Sequence, residues 1–156
     1  MDTTTLPSCI ICQKHRGEIT LPGGAIFENE LIFVSHASRF RDEKDHYLGH
    51  VFIETKRHVA ELSQLTEPEA QMVGVYAQRI SQALMDVLGV VHVYVFIIGD
   101  GVPHFHEHLI GRYPNAPREY WGVKVDEWAE APHGNDDEIA KVSGLLKKYL
   151  QDHSVD

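Results

Sequence analysis

Long apolar runs are absent from this sequence, and basic residues are scarce. No run approaches the roughly 20 residues that a bilayer-spanning helix needs, and residues 1–5 lack the basic head and apolar stretch of a secretion signal. We therefore expect no membrane partner and a cytoplasmic location. The 14 Lys and Arg residues are outnumbered by 23 Asp and Glu residues, which gives a net charge of −9. This balance argues against binding to polymeric nucleic acid, which needs many phosphate contacts, but it is compatible with a locally basic pocket for a nucleotide.

Cysteine is also rare, because Cys9 and Cys12 are the only two in the sequence. A cytoplasmic location disfavours a structural disulfide, so metal ligation or redox chemistry is expected of a Cys-x-x-Cys pair. A redox pair usually opens a helix after a buried strand, and only eight residues precede Cys9, which argues against a thioredoxin-like arrangement. Two interpretations of the pair alone stay open: a zinc site, or two unbound thiols near a loose N-terminus.

The 156 residues, with 43% hydrophobic and 24% charged residues, match one globular domain over 1–156. Runs rich in β-branched and aromatic residues predict strands, and apolar residues at spacings of three and four predict helices. Strands are predicted over 25–27, 31–34, 48–55, 90–98 and 104–111, helices over 66–88 and 136–151, a solvated loop over 39–46 and an irregular segment over 113–132. The strand over 90–98 is expected to be buried. Strands that neighbour in sequence favour an antiparallel sheet with the helices packed on it, which is an α+β fold.

The longer helix has local signals for its start and its end. Thr66 can cap the N-terminus, Glu69 can complete a capping box, and Pro68 is tolerated in the first turn. Gly89 suits the C-terminal end. The apolar face of this long central helix predicts packing against the core and no part in the chemistry.

Three of the eleven histidines, His104, His106 and His108, lie at alternate positions. On an extended strand, alternate side chains share one face, so we expect the three imidazoles on the same face. Imidazoles can bind a metal, attack phosphorus or transfer a proton near neutral pH. Folding gains little from such a row, so the cluster indicates a chemical function.

Four segments together resemble the histidine triad proteins. Residues 104–110 resemble the His-x-His-x-His motif of that family, and 48–59 are similar to its glycine-histidine strand and lysine-x-histidine turn. Residues 62–66 lead into the long helix as in the family, and 9–12 resemble the cysteine pair of its zinc-containing bacterial branch. The resemblance spans about residues 9–112 and implies a HIT-like fold and a homodimer.

This resemblance implies a nucleotide hydrolase or nucleotidyltransferase that acts at the α-phosphate. His106 would attack the α-phosphorus, a covalent nucleotidyl-histidine would form, and water would then release the mononucleotide. His108 would contact the phosphate or the leaving group, and His50 would support the site from the adjoining strand. The implied substrates are adenylylated compounds such as dinucleoside polyphosphates or nucleoside phosphoramidates.

The same resemblance implies a structural zinc ion. Carried over from the zinc-containing members, its ligands in this sequence are Cys9, Cys12, His58 and His104. Two thiolates and two imidazoles form a closed tetrahedral set with no open position for a substrate. Such a site would attach the N-terminus to the segment that carries His106.

Two residues depart from the family pattern. Asp100 follows Gly99 where family members often carry a glycine-glutamine pair that holds phosphate and ribose. A carboxylate at this position would repel a phosphate unless a cation lies between them. Glu107 replaces an apolar residue on the strand face opposite the three histidines. Because a buried unpaired carboxylate is costly, we expect Glu107 to form a structural ion pair, in preference to a catalytic role.

Two other functions compete with the leading one. His104, His106 and His108 could ligate a catalytic zinc, although neighbours on one strand face are roughly 6–7 Å apart and reach one metal poorly. A non-catalytic nucleotide-binding module is the other alternative, suggested by Asp100 and Glu107.

The aromatic residues of the irregular segment are Tyr113, Tyr120, Trp121 and Trp128. Side chains of this kind more often belong to a core or a subunit interface than to a base-stacking pocket. No function is expected of the isolated histidines, which are His15, His36, His46, His92, His133 and His153.

Overall fold

Seven strands and three helices form within residues 6–38 and 45–154, the part of the chain that the computed structural model describes. The strands are β1 Phe27–Glu28, β2 Ile32–His36, β3 His46–Tyr47, β4 His50–Thr55, β5 His92–Phe96, β6 His106–Arg112 and β7 His133–Gly134. The helices are α1 Ile10–His15, α2 Glu67–Leu88 and α3 Asp136–Asp152, with 3-10 turns at Leu62–Gln64 and Arg118–Tyr120. No helix in these ranges is both long enough and apolar enough to cross a membrane.

A five-stranded antiparallel sheet in the order β1-β2-β4-β6-β5 brings the two histidine-bearing strands side by side. In the register of β4 and β6, His50 faces Ile110, and Phe52 faces His108. A second, two-stranded sheet pairs β3 with β7. The predicted α+β fold with an antiparallel sheet is confirmed.

Helices α2 and α3 pack on one face of the sheet. Their buried residues Ile80, Leu84 and Leu146 share one core cluster with Ile53 of β4 and Leu109 of β6. The predicted apolar face of each helix is confirmed, because burial of that face removes apolar surface from water.

The predicted N-terminal cap and C-terminal glycine of the long helix are confirmed. Thr66 Oγ1 accepts a hydrogen bond from the Glu69 amide at 3.3 Å, and Glu69 Oε2 accepts one from the Thr66 amide at 2.8 Å. Gly89 ends the helix with a φ of 71°, a left-handed conformation that glycine adopts without strain.

A second, smaller core lies under the irregular segment, on the face of the sheet that carries His106 and His108. Trp128, Val125 and Ala116 pack there with Tyr47 and Ile110. Trp128, and the partly buried Tyr113 and Tyr120, therefore belong to this core, as expected of the aromatic residues. Trp121 differs, because it is exposed and the Arg112 guanidinium lies 3.6 Å from its ring centroid.

The prediction that the strand over 90–98 is buried is wrong. Strand β5 is the edge of the sheet, and Val91, Val95 and Ile98 are 49%, 45% and 55% exposed. A β-branched run favours a pleated strand whether its outer surface is covered by the same chain or by something else, so composition alone did not reveal the edge.

Helix α1 was not predicted, and the N-terminal pair of cysteines is not loose. Cys9 caps this six-residue helix, and Cys12 lies within it. Of the predicted solvated loop over 39–46, residues 39–44 lie outside the described residues, and His46 begins β3.

Candidate metal centre and histidine site

Four side chains from three parts of the fold converge at one end of the sheet. Cys9 and Cys12 come from α1, His58 follows β4, and His104 precedes β6; each offers one ligand atom, and these atoms all lie within 4.8 Å of one another. Both cysteines and His104 are buried. This is the residue set that the sequence comparison implied as metal ligands.

The distances within the cluster test whether a metal ion fits. His104 Nδ1 lies 3.5 Å from each thiol sulfur, His58 Nδ1 lies 3.6 Å from Cys12 Sγ, and the two Nδ1 atoms are 3.1 Å apart. A tetrahedral ion with ordinary bonds to sulfur and nitrogen would place such atoms about 3.6 Å apart for S–N and about 3.3 Å apart for N–N. The four residues therefore fit a metal ion.

A backbone contact fixes which nitrogen of His104 faces the cluster. Nε2 donates to the carbonyl oxygen of Thr55 at 2.6 Å, so Nδ1 keeps its lone pair for a metal. Burial lowers the pKa of His104 to about 4, which keeps the imidazole neutral. A neutral ring is the form that coordinates metals.

His106, the first residue of β6, has the opposite tautomer from His104. Its Nδ1 donates to the His104 carbonyl oxygen at 2.7 Å, so the lone pair resides on Nε2, which makes no hydrogen bond with the described residues. The ring packs edge-on to Phe52 at 5.7 Å between centroids. His106 thus presents an unengaged nucleophilic nitrogen.

An open cavity of about 490 Å³ lies beside His106. Its walls are mostly apolar, and its polar lining includes Lys14, His36, Glu54 and His106. Its apolar lining includes Ile10, Ile11, Ile19, Leu21, Phe52 and Val102. A cavity that is mainly apolar with a few converging polar groups is the usual form of a small-molecule site.

His50 and His108 lie next to each other on β4 and β6. His50 Nε2 and His108 Nδ1 are 3.0 Å apart, and the ring of Phe96 stacks on His108 at 4.7 Å and 9°. Burial keeps the pKa of His50 well below its ordinary value and lowers that of His108 to about 4. Both rings are therefore neutral near pH 7.

Three other histidines lie at this site, although no function was expected of them from the sequence. His46 Nε2 is 2.9 Å from His50 Nδ1, and His36 lines the cavity. His15 Nε2 contacts the buried Glu54 at 2.8 Å. No spacing pattern reveals these contacts, since each joins separate elements; only the high histidine count was a signal.

Glu54 is a buried carboxylate at the wall of the cavity. It forms an ion pair with Lys14 and a hydrogen bond with His15, and Lys14 Nζ lies 5.4 Å above the Phe52 ring centroid. Burial alone would raise the pKa of Glu54, but the charges and hydrogen bonds of Lys14 and His15 outweigh it, so the pKa lies below its ordinary value. Helix α1 and its N-cap residue Cys9 thus supply the two cysteines of the cluster and a cation beside the cavity.

The predicted ion pair of Glu107 is wrong. Glu107 lies opposite Ile53 on the core face of β6, its Oε2 is buried without a hydrogen-bond partner, and no described residue forms an ion pair with it. Burial raises its pKa to about 7. Because the described part of the core offers no cation at this position, nothing offsets the cost of burying the charged carboxylate, and the pKa is raised.

Asp100 is not brought into the site. It lies exposed between β5 and β6 and does not line the cavity beside His106. The His104 ring contacts the two thiols, so it is grouped with the cysteines and not with His106 and His108. The described residues thus group His104 with a Cys2His2 set, and this differs from the three-histidine zinc site considered above.

Comparison with protein families gives a match to the HIT domain over residues 24–115. The chain belongs to the HIT domain family. A comparison with curated proteins gives no significant match. The matched HIT region contains His50, His58 and all three alternating histidines, whereas Cys9 and Cys12 precede it.

Several solved structures share the HIT fold at low sequence identity. A zinc-bound histidine triad family protein from Mycobacterium smegmatis is 18% identical with a TM-score of 0.69, over 93% of this chain and 96% of that one. A hypothetical histidine triad nucleotide-binding protein from Sulfolobus tokodaii is 15% identical with a TM-score of 0.69, over 92% and 93% of the two chains. Diadenosine triphosphate hydrolase from Plasmodium falciparum is 14% identical with a TM-score of 0.61, over 88% and 82%.

Proposed function

We propose that this HIT-domain protein is a nucleotide hydrolase or nucleotidyltransferase in which His106 attacks the α-phosphorus of an adenylylated compound. The observation that supports this most directly is the hydrogen bond from His106 Nδ1 to the His104 carbonyl, which leaves the lone pair on Nε2 beside an open cavity. A neutral imidazole in this state is a good nucleophile, and a covalent intermediate divides one difficult step into two easier ones.

The first step forms a bond between Nε2 of His106 and phosphorus and breaks the bond from phosphorus to the leaving group. Water then attacks the phosphorus of the nucleotidyl-histidine and releases the mononucleotide. His108 would protonate the leaving group from its neighbouring position on β6, and His50 would support His108 through their 3.0 Å contact. Asp100, on the exposed turn, would affect only a part of the substrate that extends beyond the cavity.

The metal we propose for the cluster of Cys9, Cys12, His58 and His104 is zinc, with a structural role, which would place the chain in the zinc-containing branch of the family. Four protein ligands complete a tetrahedron, so the ion would leave no position for substrate. It would hold α1 and the segment before β6 in place. Free thiols such as these stay reduced in the cytosol, so the pair of cysteines favours a cytoplasmic location.

We propose a homodimer as the assembled form, with a nucleotide as substrate and neither polymeric nucleic acid nor a membrane as partner. The support for the dimer is edge strand β5, which exposes apolar side chains beside unpaired backbone groups. A second copy joined along this edge would cover them.

The experiment that tests the proposal compares the wild type with His106→Ala. Turnover would be measured on diadenosine polyphosphates, adenosine phosphoramidates and nucleotide sugars, and the protein would be quenched in base, in which a phosphorus–nitrogen bond survives, for intact-mass analysis. We expect an adenylyl adduct on the wild type and neither adduct nor turnover with His106→Ala.

Metal content and melting temperature serve as controls, and both should be nearly unchanged in His106→Ala because His106 is not a ligand of the cluster. His133→Ala, at an exposed histidine of β7, is the matched control and should keep full activity. Full turnover by His106→Ala would refute the proposed nucleophile. Binding of AMP by the wild type without turnover of any compound in the panel would favour the non-catalytic module.

A further inference from the structure

Behind His108, three imidazoles from three strands form a continuous row. His108 Nδ1 is 3.0 Å from His50 Nε2, and His50 Nδ1 is 2.9 Å from His46 Nε2. The rings are nearly parallel, with centroids 5.2 Å apart at 22° for His50 and His108 and 5.1 Å apart at 24° for His46 and His50. His108 is next to the proposed nucleophile, and His46 is at the other end of the row.

The hydrogen bonds of this row must all run in one direction. A neutral imidazole has one N–H and one lone pair, and burial keeps His50 and His108 neutral. If Nε2 of His108 carries a proton for the leaving group, its Nδ1 must accept from His50 Nε2. The Nδ1 of His50 must then accept from Nε2 of His46.

A neutral His108 that gave away its only N–H would become an imidazolate, which is far too basic to form at neutral pH. Its proton must therefore be replaced at Nδ1 as the first one leaves, and the group at that position is His50. His50 in turn loses its only N–H proton and must receive another at Nδ1, where His46 is its neighbour. His46, the last of these three rings, can give up a proton without becoming an anion if it starts as an imidazolium.

We propose that His46 is a positioning residue that supplies the proton for the leaving group through His50 and His108, an inference that rests on the proposed function. In the first half-reaction the leaving group accepts the Nε2 proton of His108 as its bond to phosphorus breaks and the His106–phosphorus bond forms. His108 Nδ1 takes the proton of His50 Nε2, and His50 Nδ1 takes the proton of His46 Nε2. The imidazolium of His46 becomes neutral, so one proton is lost and one is delivered.

In the second half-reaction, protons move along the row in the opposite direction. Water forms a bond to phosphorus as the bond to His106 breaks, and His108 Nε2 takes a proton from that water. His108 Nδ1–H then passes its proton to His50 Nε2, and His50 Nδ1–H passes its proton to His46 Nε2. The imidazolium of His46 is restored, and the enzyme returns to its starting state.

The fold holds His46 at a fixed place for this role. Strand β3, which begins with His46, pairs with β7 through His46 and Gly134, and the Leu48 amide donates to the Pro132 carbonyl at 2.8 Å. A Cβ on Gly134 would lie 2.8 Å from Leu48 Cδ2, so glycine allows the close approach of the two segments. The pairing of β3 with β7 thus fixes the backbone of His46 beside β4.

The test uses two substrates that differ in their need for a proton. One is an adenosine 5′-phosphoramidate with an alkylamine leaving group, which must leave protonated, and the other is the p-nitrophenyl ester of AMP, whose leaving group departs without a proton. With His46→Gln, whose amide still donates to His50 but releases no proton, we expect the rate constant of adduct formation from the phosphoramidate to fall about 10²-fold, the usual effect of losing an acid. With the nitrophenyl ester, the same rate constant, read from the pre-steady-state burst of nitrophenolate, should match the wild type within a few-fold, because hydrolysis of the shared adduct does not contribute to it.

His46→Ala is a second variant and should show the same split between substrates, and His133→Gln on the paired strand β7 is the matched control and should behave as the wild type does. Normal adduct formation from the phosphoramidate by His46→Gln, or an equal loss in the rate of adduct formation from both substrates, would overturn the relay. If the wild type still forms the alkali-stable adduct in that case, only the relay fails; if it forms no adduct, the proposed function fails and the relay with it.

Discussion

At the scale of single residues, the hydrogen-bond partner of each histidine decides its role. His104 and His106 are two positions apart, yet the first donates through Nε2 to Thr55 and the second through Nδ1 to the His104 carbonyl. The lone pair is therefore on Nδ1 in His104, facing two thiols, and on Nε2 in His106. One backbone carbonyl each therefore prepares His104 for the metal ligation, and His106 for the nucleophilic attack, that we propose.

The buried carboxyl of Glu107 should make stability depend on pH. Its folded pKa of about 7 lies above the ordinary value of 4.5, so the folded state binds the proton more tightly than the unfolded state. Stability is then full below pH 4.5 and falls as the pH rises through 7, by at most about 3 kcal/mol at 1.36 kcal/mol per pH unit. Urea unfolding at pH 5 and pH 8 should show this fall in the wild type and a smaller one in Glu107→Gln. An equal fall in both proteins would contradict the assignment.

The buried pair of Lys14 and Glu54 should be strongly coupled. Lys14→Met leaves a buried carboxylate with His15 as its remaining partner, so the free energy of unfolding should drop by about 3–5 kcal/mol, whereas Lys14→Met with Glu54→Met should recover most of it. Lys148→Met breaks the exposed pair with Asp152 and should cost less than about 1 kcal/mol. A double-mutant cycle in urea measures the coupling, and a coupling equal to that of the exposed pair would contradict this prediction.

At the scale of elements, local signals were enough for some parts of the fold and not for others. The capping box of Thr66 and Glu69 lies within four residues, so the start of α2 was predictable. Helix α1 has only six residues, too few to be stable alone, and depends on contacts with residues some 50 to 100 positions away. The contact of His46 with His50 joins two strands through an intervening turn, and the spacing of the residues does not determine it.

The members of the Cys2His2 cluster were predictable from the sequence, whereas the partners of the buried carboxyl groups were not. A Cys2His2 set needs particular residue types, and these are rare enough in the sequence to be identified. Glu54 and Glu107 are the same residue type on neighbouring strands. Glu54 follows Ile53 in β4, and Glu107 of β6 lies directly opposite Ile53. Only their packing makes one a paired anion and the other an isolated carboxyl.

Substitution by alanine should change the free energy of unfolding in opposite directions at two glycines, one inside α2 and one at its C-cap. Gly74 is inside the helix, and a Cβ there meets nothing within 4 Å, so Gly74→Ala should raise the free energy of unfolding by about 1 kcal/mol. Gly89 has a φ of 71°, and alanine at this left-handed position should lower it by about 1–2 kcal/mol although the space is open. Thermal and urea unfolding of both variants decide this. A gain in stability with Gly89→Ala would mean that the helix does not end in the left-handed conformation.

At the scale of the whole molecule, the exposed edge of the sheet determines the assembly we propose. Val95 is 45% exposed on β5, beside backbone groups that could pair with a second copy. A lysine at this position would place a charge in the joined edge, so Val95→Lys should convert a dimer of the 17.7 kDa chain into a monomer in sedimentation equilibrium. Val75→Lys makes the same change at a valine of α2 that is 50% exposed, and it should leave the dimer intact. Equal masses for the two variants would show that the molecule does not assemble through β5.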